Sequence, residues 1–162
     1  MKYTWLRVSF VVFFLLIAGC QQSATLYLGA QANEDAVVTM VQSEKKHRQW
    51  EDLYVSIDYS YKRDKNHFGI KGVLSFTDNC KVNYLRLRDL KLKLFLLDKQ
   101  LQVVEYYDIA RALGTDLDQQ QEFLKVLKVP DEVVAFTFGY EGMLVTDESF
   151  YFAIWNLPKL SH

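Results

Sequence analysis

From residue 53 onward, apolar side chains recur at every second position, and this alternation constrains the fold more than any other feature of the chain. The first run has apolar residues at Leu53, Val55, Ile57, Tyr59 and Tyr61, separated by Tyr54, Ser56, Asp58 and Ser60. A period of two places successive side chains on opposite faces of a β-strand, one face against a core and the other toward water. The pattern therefore predicts a sheet that is buried on one face.

A second strand follows after a short polar segment. Residues 63–66 supply a turn, and the inward set continues at Phe68, Ile70, Leu74 and Phe76, which predicts a β-hairpin. Gly72 falls on the same inward face, where a bulky neighbour or a β-bulge needs room.

The next strand contains a break in its alternation. Leu85 and Leu87 stand at odd positions, whereas Leu90, Leu92, Leu94 and Leu96 stand at even ones. A shift of one residue moves every side chain to the other face, so one regular strand cannot bury both sets. We expect a β-bulge or bend near Arg88 and Asp89.

The remaining alternating segments complete an all-β domain. After a turn at 98–100, strands are predicted over 101–107, 122–129, 134–140 and 150–154, whereas residues 109–121 fit either a helix or a long crossover. About seven strands in roughly 110 residues predict an antiparallel, immunoglobulin-like β-sandwich over about residues 52–157. The cysteine pair of antibody domains is missing, so only the architecture is predicted.

One helix is predicted ahead of this sandwich. Asn33 is a residue type that favours the N-cap, and Ala36, Val37, Met40 and Val41 follow at helical spacing. The polar stretch 42–49 then continues the other face, which predicts an amphipathic helix over about 34–48.

The N-terminus has the order of a secretory signal. Lys2 and Arg7 give a positively charged start, a nearly continuous apolar run covers 8–17, and Ala18 and Gly19 precede Cys20. As a helix, residues 8–19 would rise only about 18 Å, well short of the roughly 30 Å bilayer core. Residues 17–20, Ile-Ala-Gly-Cys, resemble the lipobox of bacterial lipoproteins; an uncleaved anchor and an ordinary secreted protein are the alternatives.

The lipobox resemblance implies an anchor and a set of boundaries. Residues 1–19 would be removed, lipid would be attached to Cys20, and residues 20–32 would form a tether to a single domain at 33–162. Two or three acyl chains hold a protein durably on a membrane, whereas one is marginal. In enterobacterial sorting an Asp after the cysteine favours the inner membrane, and Gln21 stands at this position, so the resemblance favours the outer membrane, facing the periplasm, over the inner membrane.

The cysteine count follows from that anchor. The chain has two cysteines, so lipid on Cys20 leaves Cys80 without an intramolecular partner. The exported domain must then be held together by packing instead of a disulfide. Cys80 is interpreted as an inert, half-buried thiol, with intermolecular pairing or a redox role as the alternative.

Charge argues against one broad class of partner. Lys2 and Arg7 of the 19 basic residues lie in the signal, which leaves 17 basic against 20 acidic residues and a formal charge of −3. Nucleic-acid-binding domains are usually strongly basic, so no nucleic acid is expected as a partner.

A row of four cations is the candidate partner-binding patch. Arg86, Arg88, Lys91 and Lys93 interleave with leucines and are expected on the polar face of one strand. Such a row suits anionic lipid headgroups, an acidic glycan or an acidic protein. Alternatively, these residues only solvate that face or keep the edge of a sheet from aggregating.

Tyrosine offers a second surface. Outward-facing Tyr54, Tyr106 or Tyr107, and Tyr151 are candidates for a flat platform that binds a sugar or a peptide. Tyrosine is equally a favoured strand residue that fills the core of a small β-domain.

Catalytic and metal-binding motifs do not emerge from the sequence. The histidines, His47, His67 and His162, lie far apart, and no nucleophile elbow or glycine-rich phosphate loop is present. Residues 116–122 place oxygen ligands at alternate positions, but Gln121 and Leu127 stand where a calcium loop needs its glycine and its closing glutamate. We therefore expect no enzyme activity, no metal and no cofactor.

These observations favour a non-catalytic, lipid-anchored interaction or accessory subunit of a bacterial envelope assembly, with membrane lipid and an envelope protein as its partners. A small-ligand or glycan-binding envelope lipoprotein is the alternative, and an envelope enzyme comes third.

Overall fold

The computed structural model describes residues 26–41, 46–146 and 150–160. The predicted signal peptide and Cys20 lie outside these residues. The strands are β1 (Val38–Thr39), β2 (Lys46–Glu51), β3 (Val55–Asp64), β4 (His67–Phe76), β5 (Arg86–Leu97), β6 (Val103–Leu113), β7 (Gln121–Lys128), β8 (Ala135–Val145) and β9 (Tyr151–Asn156), and helix α1 spans Asp78–Asn83.

The nine described strands form two antiparallel sheets. The first sheet has the order β1-β8-β5-β6, and β9 also pairs with β8. The second sheet has the order β2-β3-β4-β7. The antiparallel all-β class is thus confirmed.

The core lies between the two sheets and is rich in aromatic rings. Alternate residues of β3, among them Tyr59 and Tyr61, are buried as their period of two predicts. Tyr59 contacts Phe138 of β8 at 4.9 Å between ring centroids, and Tyr61 contacts Phe136 at 5.2 Å. Edge-to-face contacts of this kind hold one sheet against the other.

The predicted hairpin and its glycine are confirmed. β3 and β4 pair without interruption from Val55 with Phe76 to Asp64 with His67. A Cβ atom at Gly72 would lie 2.8 Å from Cζ of Phe123, on the adjoining strand β7. Glycine therefore makes room for a core aromatic ring.

The predicted bulge is also confirmed. The pairing of β5 with β8 shifts register between Leu87 and Asp89. As a result, Leu87 and the leucines at even positions after it are all fully buried. Strand β5 lies between β8 and β6, so it is an inner strand of the first sheet.

The predicted helix over 34–48 is wrong for the described residues. Only Glu34–Ala36 forms a short 3-10 turn; β1 then pairs with β8, and β2 pairs with β3. The apolar positions 36, 37, 40 and 41 match a helical period, but the segment is too short to outweigh the hydrogen bonds that two neighbouring sheets offer it. Trp50 and Arg48 instead follow the period of two along β2.

The end of the predicted tether belongs to the folded domain. Tyr27, Ala30 and Ala32 are buried in a second apolar cluster with Phe95, Leu97, Val103 and Ala135. The ring of Tyr27 meets those of Phe95 and Tyr106 at 5.3 and 5.1 Å. Because Phe95 faces away from the main core, this cluster lies on the outer face of the first sheet. Its cover comes from residues 26–37.

The segment 109–121, for which a helix or a crossover was expected, is a continuation of β6 to Leu113 followed by a loop to β7 at Gln121.

Among the residues that the structure describes, no helix has the length and apolar character needed to cross a membrane.

The Asp52 carboxylate, just before β3, links the two sheets through hydrogen bonds to β8 and β9. The Oδ2 atom of Asp52 accepts hydrogen bonds from the Tyr140 hydroxyl at 2.7 Å and from the Asn156 amide at 3.0 Å. Its Oδ1 atom accepts from the backbone amides of Tyr54 and Val55. Burial and the bond to Asp52 raise the pKa of Tyr140 above its usual range, which keeps the hydroxyl a donor.

Candidate functional site

The structure places the four cations of the candidate patch on the outer face of β5. Arg86, Arg88, Lys91 and Lys93 lie on the side opposite the buried leucines, as predicted, because the bulge keeps both arginines on the same face as the lysines. Since β5 is an inner strand, protection of a sheet edge does not explain them. Their role as a partner-binding patch stays a prediction.

Lys93 differs from the other three because it is buried. It is only 6% exposed. Its Nζ atom lies 2.7 Å from Asp108 of β6 and 3.4 Å from Glu141 of β8, the strands on either side of β5. Burial lowers the pKa of Lys93, but the hydrogen bond and charge of Asp108 and the charge of Glu141 outweigh it and raise the pKa above its usual value. Lys93 is therefore a charged tie between three strands.

The charges of the other cations are only partly compensated. Lys91 lies 3.7 Å from Glu141, and the Arg88 guanidinium stacks at 4.4 Å from the ring centroid of Tyr151 on β9. Arg86 and Arg88 are exposed. The part of the row that is available to a partner is thus its start, near the end of the sandwich that carries α1.

That end of the sandwich, which we call the α1 end, carries a cluster of exposed apolar side chains. Its elements are the loop before β3, α1, the start of β5 and the start of β9. Six large apolar residues there are at least 43% exposed: Leu53, Val82, Leu85, Phe150, Tyr151 and Phe152. Patches of this kind on soluble domains commonly mark binding surfaces.

Ring contacts join Phe152 of this cluster to two half-buried tyrosines beneath it, Tyr54 and Tyr84. The ring centroids of Tyr84 and Phe152 are 5.4 Å apart, and Tyr54 lies 6.1 Å from Tyr84 and 6.3 Å from Phe152. Leu53 adjoins Tyr54, and its carbonyl accepts hydrogen bonds from Thr77 Oγ1 and from Asn79 of α1. Hydrogen bonds therefore fix the backbone at Leu53, and ring contacts fix the position of Phe152.

Helix α1 is short but well defined. Thr77 is its N-cap, and the Thr77 hydroxyl accepts a hydrogen bond from the Cys80 amide at 3.2 Å. Cys80 is fully buried beneath it, whereas Val82 on its other side is 84% exposed. Sequence reasoning missed this surface because Val82 lies in a short helix that no pattern predicted, and Leu85 was expected to be buried with Leu87; apolar residues inside turn segments were the available signal.

Cys80 is more deeply buried than the half-buried thiol that was predicted. Burial, reinforced by the charge of Asp52, raises its pKa to about 11. A thiol reacts as its thiolate, so this environment disfavours reaction of Cys80 near neutral pH.

The candidate tyrosine platform is not assembled in one place. Tyr54 lies at the α1 end, whereas Tyr106 stacks on Phe95 near the buried Tyr27. Tyr107 donates a hydrogen bond to Glu105 at 2.6 Å. Among the described tyrosines, only Tyr151 has a largely exposed side chain.

A broad depression lies on the outer face of the second sheet. Its lining includes His47, Asp58, Ser60, Lys71 and Glu122. These polar groups are spread over four strands, and no exposed aromatic ring accompanies them. Within the described ranges, no three His, Cys, Asp or Glu side chains are placed to hold a metal ion.

A smaller cleft lies between β2 and residues 33–38. It includes Arg48, whose Nε atom is buried with no hydrogen-bond partner among the described residues. Asp35, Glu51 and Asp52 also line this cleft. The surrounding carboxylates make it unfavourable for an anion.

Comparison with known proteins gives no family for this chain: no family model matches it, and neither curated proteins nor solved structures include a significant match.

Proposed function

We propose that this protein is a non-catalytic accessory subunit, held on a bacterial membrane by lipid on Cys20, whose α1 end binds a partner protein of the envelope. The observation that carries the proposal is the connected apolar surface of the α1 end. Exposing large apolar side chains to water is unfavourable, and the free energy recovered on covering them favours association. The exposed start of the basic row borders this surface and adds a preference for acidic groups at the rim of the partner.

The strand order supports the finer proposal that the sandwich is immunoglobulin-like. Without β1 and β2, the sheets have the orders β3-β4-β7 and β6-β5-β8-β9. Immunoglobulin sandwiches place strands A, B and E in one sheet and C, F and G in the other, with C′ beside C in variable domains. β3 to β9 correspond in sequence to A, B, C, C′, E, F and G.

This correspondence also supports the choice of surface. It makes α1 the connection from B to C and the segment before β9 the connection from F to G. In variable domains these two loops lie at the end that binds antigen. The likeness is an analogy between folds and adds to the exposed apolar surface without replacing it.

The path of the chain leaves the α1 end accessible. Residues 26–37 cover the opposite half of the first sheet, where Ala32 donates a hydrogen bond to the carbonyl of Leu101 in the β5-β6 turn. The tether from a lipid-bearing Cys20 would thus join the domain away from the α1 end. Tethering would confine the domain to a layer near the membrane and raise its effective concentration for partners there.

Site-specific photocrosslinking in the native host tests the partner surface. A photoreactive residue at Val82 should yield one stoichiometric adduct with an envelope protein, and the additional change Leu85→Asp should abolish it. The control is the same probe at Leu124, which is 71% exposed on the outer face of the second sheet. Equal adducts from both positions, or none from Val82, would contradict the proposal.

The anchor is tested separately by mass spectrometry of the mature N-terminus. We expect a peptide beginning at Cys20 with diacylglyceryl and acyl groups, and a Cys20→Ala variant that accumulates as uncleaved precursor. An unmodified Cys20 would refute the anchor and leave the surface at the α1 end untouched.

A small-ligand or glycan-binding role is the second candidate. It rests on the tyrosines and the basic row, and these groups do not converge on one cavity. The depression on the outer face of the second sheet is the observation in its favour. It is therefore the weaker proposal.

A further inference from the structure

The free edge of β9 differs from the other long edges of the two sheets. β9 pairs with β8 on one side and with no described strand on the other. Its sequence, Tyr-Phe-Ala-Ile-Trp-Asn, contains no charge and no proline. The other long edge strands carry charges: Arg48 and Glu51 on β2, Glu105 and Asp108 on β6, and Glu122 and Lys125 on β7. Charged residues and prolines normally prevent edge-to-edge pairing, so β9 lacks this protection.

The hydrogen bonding of β9 shows which backbone groups are available. The Thr146 amide donates to the Phe150 carbonyl at 3.0 Å, next to the paired residues Val145 and Tyr151. Hydrogen-bonded pairs alternate along an antiparallel ladder, so Phe152 and Ile154 bond to β8. The amides and carbonyls of residues 151, 153 and 155 consequently point to the free edge.

We propose that β9 pairs antiparallel with β9 of a second copy of this chain, about a two-fold axis at Ala153. Tyr151 then lies opposite Trp155 of the other copy, and the two Ala153 residues face each other. The three outward-pointing residues of each strand exchange hydrogen bonds across the axis. The first sheet of one copy and the first sheet of the other then form one continuous sheet.

The side chains fit this register. Tyr151 and Trp155 are 60% and 67% exposed on the outer face, with the small Ala153 between them. The axis brings each tyrosine beside a tryptophan, and cross-strand aromatic pairs of this kind stabilise antiparallel sheets. Arg88 lies over Tyr151, whereas Glu141 pairs with Trp155. Each Tyr-Trp row thus ends in a cation on one copy and a carboxylate on the other.

The area available sets the expected strength. Aromatic side chains bury about 150–250 Å² each, so the exposed parts of the rings supply a few hundred Å² per copy. Stable interfaces bury about 1,200–2,000 Å² in total. We therefore expect a reversible dimer with a dissociation constant on the order of 100 μM in solution, which high local concentration would populate.

Oxidative crosslinking of an Ala153→Cys variant tests the register. Opposed Cα atoms in a hydrogen-bonded pair are about 5.5 Å apart, within the range of a disulfide. We expect a covalent dimer to form at least tenfold faster than in the control Leu124→Cys, whose cysteine lies on the other sheet. The native cysteines, Cys20 and the fully buried Cys80, are common to both variants. Equal rates in the two variants would overturn the proposal.

Sedimentation equilibrium of the full chain tests the edge itself. Ala153→Pro removes an amide that β8 does not use, and we expect it to abolish the dimer, whereas Ala153→Val should keep it. Trp155→Glu, at an exposed side chain, should also raise the dissociation constant at least tenfold and decides the matter if the proline variant does not fold. A chain that remains monomeric up to millimolar concentration would refute the proposal, even if another protein occupied β9.

Discussion

The outer faces of the two sheets arise from the same alternating pattern but end in different environments. On the second sheet, Lys62 and Lys71 project into water. On the first sheet, the equivalent alternation along β5 produces Lys93 and Phe95, and both are buried. The difference is the cover: residues 26–37 lie over half of the first sheet, and Tyr27 is inserted beside Phe95. Whether the outer face of a sheet is exposed to water therefore depends on the segments that pack over it as well as on its own residues.

The largest expected effect comes from removing that cover. Tyr27→Ala should lower the free energy of unfolding by about 3 kcal/mol, because it empties a buried aromatic site between Phe95 and Tyr106. The matched control is Leu124→Ala on the open face, which should stay within about 0.5 kcal/mol. Urea denaturation measures both, and equal losses would show that the cover contributes no stability.

Alanine substitutions of two glycines compare the covered face of the first sheet with the open face of the second. A Cβ atom at Gly139, on the covered face, would lie 2.5 Å from the Asn156 carbonyl oxygen and 2.8 Å from Cε2 of Phe95. Gly139→Ala should therefore destabilise the fold by about 2 kcal/mol. At Gly69 on the open face nothing lies within 4 Å, so Gly69→Ala should be neutral or slightly stabilising. Thermal denaturation compares the two variants, and a tolerated Gly139→Ala would contradict the tight packing.

Substitution of lysines should give a smaller difference. Lys93→Met leaves Asp108 and Glu141 without their shared cation, and we expect a loss of about 1 kcal/mol because both carboxylates remain partly solvated. Lys71→Met, at an exposed site with no ion pair among the described residues, should change stability by less than about 0.5 kcal/mol. Chemical denaturation at low and high salt checks this. An equal loss of stability in both variants would show that Lys93 contributes no more to the fold than the exposed Lys71.

The smallest expected effect is a difference in alkaline stability. The folded pKa of Lys93 is raised above 10.5, so its stabilising contribution is complete below that pH and is lost as the pH rises through the folded value. Cys80, whose pKa is raised to about 11, also weakens the fold from about pH 9 upward, but it does so equally with or without Lys93. Denaturation between pH 9 and 11.5 should therefore show a steeper loss in the parent than in Lys93→Met. Parallel curves would contradict the pKa shift of Lys93.

Local patterns in the sequence predicted the inner layer of the fold well. The alternation of Val55, Ile57, Tyr59 and Tyr61 identified β3, the room needed at Gly72 is filled by Phe123, and the change of parity after Leu87 located the bulge. These features follow from the two-residue period of a strand, which depends only on neighbouring positions.

Features that depend on distant segments were not predictable in this way. The segment 34–48 has apolar residues at helical spacing, yet apart from a short 3-10 turn its described secondary structure is strand, because β8 and β3 offer backbone groups with which it can pair. Val82 gave no periodic signal, and Leu85 was expected to be buried but is exposed. The contact of Tyr84 with Phe152 depends on the chain's return through β9. The candidate surface at the α1 end therefore emerged only from the structure.

The sequence by itself determined that the chain would form alternating strands with a leucine-rich inner face, and it carries the lipobox-like Cys20 on which the proposed anchor depends. Tertiary structure alone decided which polar strand face is covered, why Lys93 is buried between two carboxylates, and which edge lacks charge and remains open. The physical reason is range: alternation is a property of adjacent residues, whereas burial of an outer face and exposure of an edge depend on where segments far apart in the chain come to lie.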